Sequence, residues 1–212
     1  MNETKVALDF WKNIKQYPGY PNTLQRRLID VNFVVEKLSG VKSILDLGCG
    51  DGAMLLALRE FTEIDTFYGY DISSNLIEKL LNKWGKSNGL SVEIINLITI
   101  EKLPKTDVTL SMGSFSYIFK DEELHKLLRN IKSDLLIVRA SCTLNKDDEI
   151  INKFSDDLGK NYAAIYRTVS NYKSILSEHF IVSQISRAYP DEIESYYGTK
   201  HFFFVCRRLK CF

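Results

Sequence analysis

Apolar residues recur at helical spacing near the start of the chain and in short strand-like runs through its middle. Val6, Phe10 and Ile14 mark one helix face. Leu24, Leu28, Val31, Val35 and Leu38 mark a second that ends at Gly40, with Asn22 placed to cap its start. The segment QYPGYPN over 16–22 separates the two, because proline cannot continue a helix interior. From residue 41 onward, short apolar runs alternate with amphipathic stretches. Strands are predicted over 43–47, 66–70, 91–95, 108–112 and 135–140, with helices beginning near Ala53, Ser74 and Asp121. The helix after Ser74 gathers Leu76, Ile77, Leu80, Leu81 and Trp84 on one face, as a core-facing helix requires. Strand alternating with helix is the pattern of a parallel sheet with crossovers.

The pattern changes toward the carboxyl end. A helix around 172–177 precedes two apolar runs, over 180–185 and 201–205, separated by about fifteen residues. That interval is short for a crossover helix with its turns, so these runs are expected to pair antiparallel. The predicted fold is α/β, a Rossmann-like doubly wound sheet of mixed direction behind a helical amino-terminal cap. No low-complexity tract, linker or internal repeat divides the sequence. A single domain over 1–212 is expected, with the cap over 1–40 and the core over 41–212.

Composition narrows the partners. With 28 Lys+Arg against 27 Asp+Glu, the 212 residues carry a formal net charge of +1. That balance argues against nucleic acid or an anionic membrane held by a broad field, and leaves room for a small anion held locally. Cys49, Cys142, Cys206 and Cys211 form no CxxC pair, so neither a disulfide framework nor a metal site is expected. The opening MNETKVALDFWKNIK has no signal-peptide core, and no run approaches the roughly 20 apolar residues of a membrane span. The expectation is a cytoplasmic protein, monomer or homodimer, whose partner is a small molecule.

The densest chemistry lies in SILDLGCGDGAML, residues 43–55. An apolar strand runs into Gly48-Cys49-Gly50-Asp51-Gly52 and then into a helix. Glycines at such a turn permit positive φ and close backbone approach, and the helix start offers free N–H groups to a ligand. A second apolar strand, TFYGYD, ends in Asp71, 19 residues after Gly52. A carboxylate there is placed to accept both hydroxyls of a ribose at the switch point of a doubly wound sheet. Turn glycines without a ligand, and a helix-capping role for Asp71, are the competing readings.

LDLGCGDG followed by YGYDIS resembles the first two motifs of the class I S-adenosylmethionine (SAM) dependent methyltransferases. From about residue 41 to the end, the chain is similar to that family in strand and helix order. The resemblance implies a seven-stranded sheet whose last strand inserts antiparallel, with SAM as cofactor and S-adenosylhomocysteine as product. By the same resemblance Gly48, Cys49 and Gly50 would line the methionine part of SAM, and Asp46 would sit beneath its amino group. Asp71 would hold the ribose and Ile72 would pack on the adenine. The third motif is read in VEIINLITIEKLP, with Asn96 and Leu97 beside the adenine. The fourth resembles TDVTLSMGSFSYI, with Met112 and Gly113 beside the sulfonium. A nicotinamide dehydrogenase would show GxGxxG, whereas residues 48–52 give GxGxG followed by Ala53. Neither the (Asp/Asn)-Pro-Pro-(Tyr/Phe) motif of base methylases nor the paired glutamates of protein arginine methyltransferases is present.

The expected function is methyl transfer to a small polar acceptor, at oxygen. Topology brings Tyr17, Tyr20, Tyr117, Arg139, Tyr189, Tyr196, Tyr197, Lys200 and His201 to the carboxyl edge of the sheet. His201 is the candidate base, since histidine titrates near neutrality. Tyr117 is a second catalytic candidate, competing with Tyr20 to position the acceptor, and packing is the alternative for each. Arg139 would clamp a phosphate or carboxylate bidentately, unless it pairs with an acid of the protein. A phosphorylated or nucleotide-linked sugar would suit that clamp. The lysine-, asparagine- and isoleucine-rich style resembles, loosely, bacterial capsule and surface-polysaccharide methyltransferases, including those acting on phosphoramidates. A SAM-binding regulatory or partner subunit without catalysis is the alternative reading.

Overall fold

In a computed structural model, residues 2–15, 22–155, 159–194 and 198–208 are described. The chain opens with α1 (Glu3–Lys12) and α2 (Thr23–Val35), then alternates β1 (Ser43–Leu47), α3 (Ala53–Phe61), β2 (Thr66–Asp71), α4 (Ser74–Trp84) and β3 (Leu90–Ile94). It continues with β4 (Val108–Met112), a 3-10 turn (Ser114–Tyr117), α5 (Asp121–Asn130), β5 (Leu135–Thr143), β6 (Glu149–Ser155) and β7 (Lys160–Tyr166). α6 (Val169–Ser177), β8 (Phe180–Arg187) and β9 (Thr199–Arg208) complete it.

Seven strands form one sheet in the order β3-β2-β1-β4-β5-β9-β8. The first five are parallel, and β9 runs antiparallel between β5 and β8. The mixed sheet follows the expectation. Its central strands are mostly apolar because both faces are covered, as the burial of Ile44, Leu45 and Leu47 in β1 shows. Two cores result. Leu55, Leu58, Leu80 and Trp84 pack on one face of the sheet, and Leu124, Leu128, Tyr172 and Leu176 on the other.

The structure corrects the amino-terminal reading. Leu24 and Leu28 are 72% and 52% exposed, while α2 buries Asp30, Val31 and Val34. A charged residue is turned inward because it meets a cation and a phenol there, described below. Asn22 caps nothing with its side chain. It holds a left-handed φ of 60°, which asparagine tolerates, and its amide donates to the carbonyl of Ile193 at 3.4 Å. α6 starts earlier than predicted, at Val169, because Thr168 caps it by accepting the N–H of Asn171.

The stretch between β5 and α6 is a separate two-stranded sheet of β6 and β7, where no strand is predicted. Along β6 the exposed large residues are Ile150 and Phe154, while Ile151, Lys153 and Ser155 line a cavity. The alternation is inverted relative to an ordinary surface strand, and that hides it. α1 lies against this hairpin: Val6 and Ala7 pack with Ala163, and Phe10 and Trp11 with Tyr162. Cap and hairpin together stand over the carboxyl ends of the parallel strands. No helix among the described residues is long and apolar enough to cross a membrane.

Candidate active site

The turn after β1 is tied to the end of β2. The N–H groups of Gly48 and Cys49 both donate to the carbonyl of Tyr70, at 2.7 and 3.1 Å. The N–H of Gly50 donates to Asp71 Oδ2, and that of Ser73 to Asp71 Oδ1, each at 2.8 Å. Gly48 and Gly52 have φ of +81° and +74°. The positive φ is the one expected, and the close approach at these two glycines is to protein side chains. A Cβ on Gly48 would stand 2.5 Å from the Cβ of Ser114, and one on Gly52 would stand 2.1 Å from Cδ1 of Leu80. Protein side chains, not a ligand, occupy the space those glycines leave.

Two buried carboxylates face the turn. Asp46 is 2% exposed, and its Oδ1 is buried with no hydrogen-bond partner. Burial, and then the neighbouring charge of Asp71, push its pKa up to about 7, against a smaller pull from Arg139. Burial also raises Asp71, opposed by the N–H groups of Ser73 and Gly50. Such a pair is suited to a ligand that brings a cation and hydroxyl donors.

Both carboxylates line a cavity of about 800 Å³ at the carboxyl edge of the sheet. Of the residues expected to hold the cofactor, Asp46, Gly48, Cys49, Asp71, Ile72, Asn96, Leu97, Met112 and Gly113 line it, while Gly50 stands behind, tied to Asp71. The Oδ1 of Asn96 accepts the N–H of Ile98 at 3.0 Å and so shapes the loop after β3. Burial holds the Cys49 thiol well above its usual pKa, so it is no nucleophile.

The acceptor-side residues divide. Tyr117 and His201 line the same cavity. Tyr117 exchanges a hydrogen bond with Tyr162 at 3.1 Å and packs edge-on against Trp11. Arg139 also lines it, but its guanidinium is engaged inside the protein. Nη1 donates to Asp30 Oδ2 at 2.6 Å and to the Tyr189 hydroxyl at 2.5 Å, and Nη2 donates to the Met112 carbonyl. Tyr189 in turn donates to Asp30 Oδ1 at 2.8 Å. Arg139 is thus a tie between α2, β4 and β5, and the alternative of pairing with an acid describes it. Lys200 is not on the cavity: its ammonium donates to Asp191 at 2.8 Å and to the Glu194 carbonyl at 2.9 Å. Tyr17, Tyr20, Tyr196 and Tyr197 lie outside the described residues.

His201 is held on both sides. Its Nδ1 is hydrogen-bonded to Oε1 of the buried Glu194, and its Nε2 lies 2.8 Å from Ser141 Oγ. Burial lowers its pKa, with Glu194 pulling the other way, and so favours the neutral ring. Sequence reasoning missed Asp30, Ser141 and Glu194, and the hairpin residues Tyr162 and Tyr166. Only the opposition of Ser141 to His201 in the β5–β9 register was open to inference, from the antiparallel pairing. The other two histidines meet elsewhere, between α5 and the end of α6. His125 Nδ1 and His179 Nε2 are 2.9 Å apart, and with Glu178 they place three possible metal ligands within 4.8 Å of one another.

Residues 45–136 match the family model described as a methyltransferase domain. Over 188 residues the chain is 24% identical to malonyl-acyl-carrier-protein O-methyltransferase 2 of Ilyobacter polytropus, covering 85% of this chain and 70% of that one. An S-adenosylmethionine-dependent methyltransferase from Clostridium acetobutylicum superimposes with a TM-score of 0.65 at 15% identity, over 88% of this chain and 95% of that one. Geranyl diphosphate C-methyltransferase from Streptomyces coelicolor A3(2) does so with a TM-score of 0.68 at 10% identity, over 99% and 98%. The matched segment runs from the middle of β1 into β5, through the glycine turn and both acidic strand ends, and over it the chain is similar to the methyltransferase domain family.

Proposed function

We propose that this protein is an enzyme that transfers a methyl group from SAM to an oxygen of a small polar acceptor held in the cavity above the glycine turn. The observation that carries this is Asp46: a carboxylate buried beside a second one, with Oδ1 unpartnered, on the wall of that cavity. A ligand amino group satisfies it. Asp71 keeps lone pairs for two ribose hydroxyls while accepting the N–H groups of Gly50 and Ser73. Ile72, Asn96 and Leu97 would flank the adenine, and Met112 and Gly113 the sulfonium. When bound, SAM supplies an electrophilic methyl group. The chain's share is to align the acceptor with it, exclude water and take up the acceptor's proton.

The acceptor space is bounded by Tyr117, Tyr162 and Tyr166 from the 3-10 turn and hairpin and by His201 from β9. Arg27 and Lys153 line the same cavity, so the charge expected of Arg139 falls to other cations. An acceptor with an anionic part suits them, such as a phosphorylated or nucleotide-linked sugar or a capsule phosphoramidate. The relatives whose names specify a malonyl group and geranyl diphosphate also handle anions. An acceptor space lined by hydroxyls and an imidazole favours catalysis over a purely regulatory domain. Calorimetric titration with SAM tests the reading: saturable binding that Asp71→Ala weakens is expected, and absence of binding at millimolar SAM overturns it.

A further inference from the structure

We infer that Ser141, His201 and Glu194 form a proton relay opening on the cavity, and that the acceptor atom is therefore a neutral hydroxyl oxygen of an alcohol or phenol. The inference rests on the methyltransferase reading. Antiparallel pairing sets Ser141 of β5 directly across from His201 of β9, which brings Ser141 Oγ within 2.8 Å of Nε2. On the far side of the ring Glu194, 1% exposed, accepts from Nδ1, and it also accepts the backbone N–H of His201 at 2.7 Å. An ionised carboxylate only accepts, so Nδ1 carries the proton and Nε2 is left with a lone pair, which can accept only from the serine hydroxyl. The guanidinium of Arg187, 3.6 Å from Glu194 Oε2, favours that ionised state.

Ser141 and His201 line the cavity and Glu194 does not, so the order from acceptor to interior is serine, imidazole, carboxylate. Ser141 sits inside a paired strand, not on a turn before a helix, and it reads as a proton carrier rather than an acyl nucleophile. As the acceptor oxygen bonds to the methyl carbon, the sulfur–carbon bond breaks with its electron pair staying on sulfur. The acceptor proton passes to Ser141 Oγ while the serine proton passes to Nε2, leaving an imidazolium paired with Glu194. A carboxylate or phosphate oxygen has no proton to give at pH 7 and gains nothing from this device. A hydroxyl gains on the order of a hundred-fold in rate. Glu194 acts as the positioning residue.

Imidazole nitrogen NMR of the full chain tests the relay without an acceptor. The charged and titratable groups facing His201 are Glu194, Arg139 of β5, Arg26 and Asp30 of α2, and Tyr189. The wild type is expected to show Nδ1 protonated and Nε2 bare at pH 7. Glu194→Gln, which removes the group that raises the pKa, is expected to titrate at lower pH. An Nε2-protonated ring, or a titration unmoved in the variant, overturns the relay. With methyl-labelled SAM and a panel of sugar alcohol, phenol, malonyl thioester and primary amine, label is expected on a hydroxyl acceptor. Ser141→Ala and Glu194→Gln are expected to lower that turnover at least ten-fold, less so at higher pH, with SAM affinity unchanged. Label on the malonyl carboxylate or the amine instead, or wild-type turnover in both variants, overturns the hydroxyl assignment. Failure to bind SAM at all refutes the underlying methyltransferase reading, so the two failures are distinct.

Discussion

Asp46 gives the sharpest test of the cofactor site, because its burial makes ligand binding depend on pH. Without ligand, burial and Asp71 hold its pKa at about 7, against a usual value of 3.8. The ammonium expected against Oδ1 requires the ionised form, so binding below pH 7 must expel a proton. With a pKa of 7 the ionised fraction is about 0.9 at pH 8 and about 0.1 at pH 6, so the dissociation constant for SAM should weaken about ten-fold between them. Calorimetry at pH 6 in two buffers of different ionisation enthalpy should report release of close to one proton, falling toward zero at pH 8. Asp46→Asn should bind more weakly at pH 8 and lose most of the slope. The same shift acts on stability. A carboxyl whose folded pKa is raised binds its proton more tightly in the native state, so its contribution is lost as pH rises from about 4 through 7. SAM should reverse that loss. A dissociation constant that is flat from pH 6 to 8, or a slope that survives in Asp46→Asn, refutes the reasoning.

Three further outcomes follow from the contacts. Asp71→Ala should weaken SAM at least ten-fold, in line with about 1.5–3 kcal/mol for charge-assisted bonds, measured by calorimetry. Asp71→Asn should do less harm to the turn than alanine, since its one amide oxygen still accepts one of the two N–H groups of Gly50 and Ser73, and an unchanged affinity in both removes Asp71 from the site. Gly48→Ala joins a positive φ to a 2.5 Å approach to Ser114, and should cost about 2–3 kcal/mol. Its melting temperature would stay at the wild-type value only if that argument fails. Arg139→Met strands the buried Asp30 and should cost about 3 kcal/mol in urea denaturation. The double variant with Asp30→Asn should recover most of it, and a single variant as stable as wild type would deny that the pair is a structural tie.

The parts of the fold legible in the sequence are those where one local rule dominates. β1 and β5 are buried on both faces, so their apolar runs are unmistakable, and the glycines with Asp71 mark the switch point. Asp30 and Arg139 were not legible as partners because 109 residues separate them and only the tertiary packing of α2, whose Phe33 stacks on Phe203 of β9, joins them. Leu24 and Leu28 misled for the same reason: the helix period says which residues share a face, but not which face turns inward. Glu194 is hidden in the connection before β9, where no periodicity operates. The β6–β7 hairpin escaped because its outward positions carry Ile150 and Phe154 and its cavity side carries Lys153 and Ser155.

That hairpin pairs only within itself and contributes no strand to the seven-stranded sheet, yet its residues line the cavity. On the proposed reading, part of acceptor choice therefore rests on a hairpin hydrogen-bonded separately from the sheet that carries the glycine turn, beside Ser141 and His201 of that sheet. On that reading, drift in the cavity-facing positions of β6 and β7 would redirect the protein to a new acceptor while every ladder bond that supports the glycine turn stays in place.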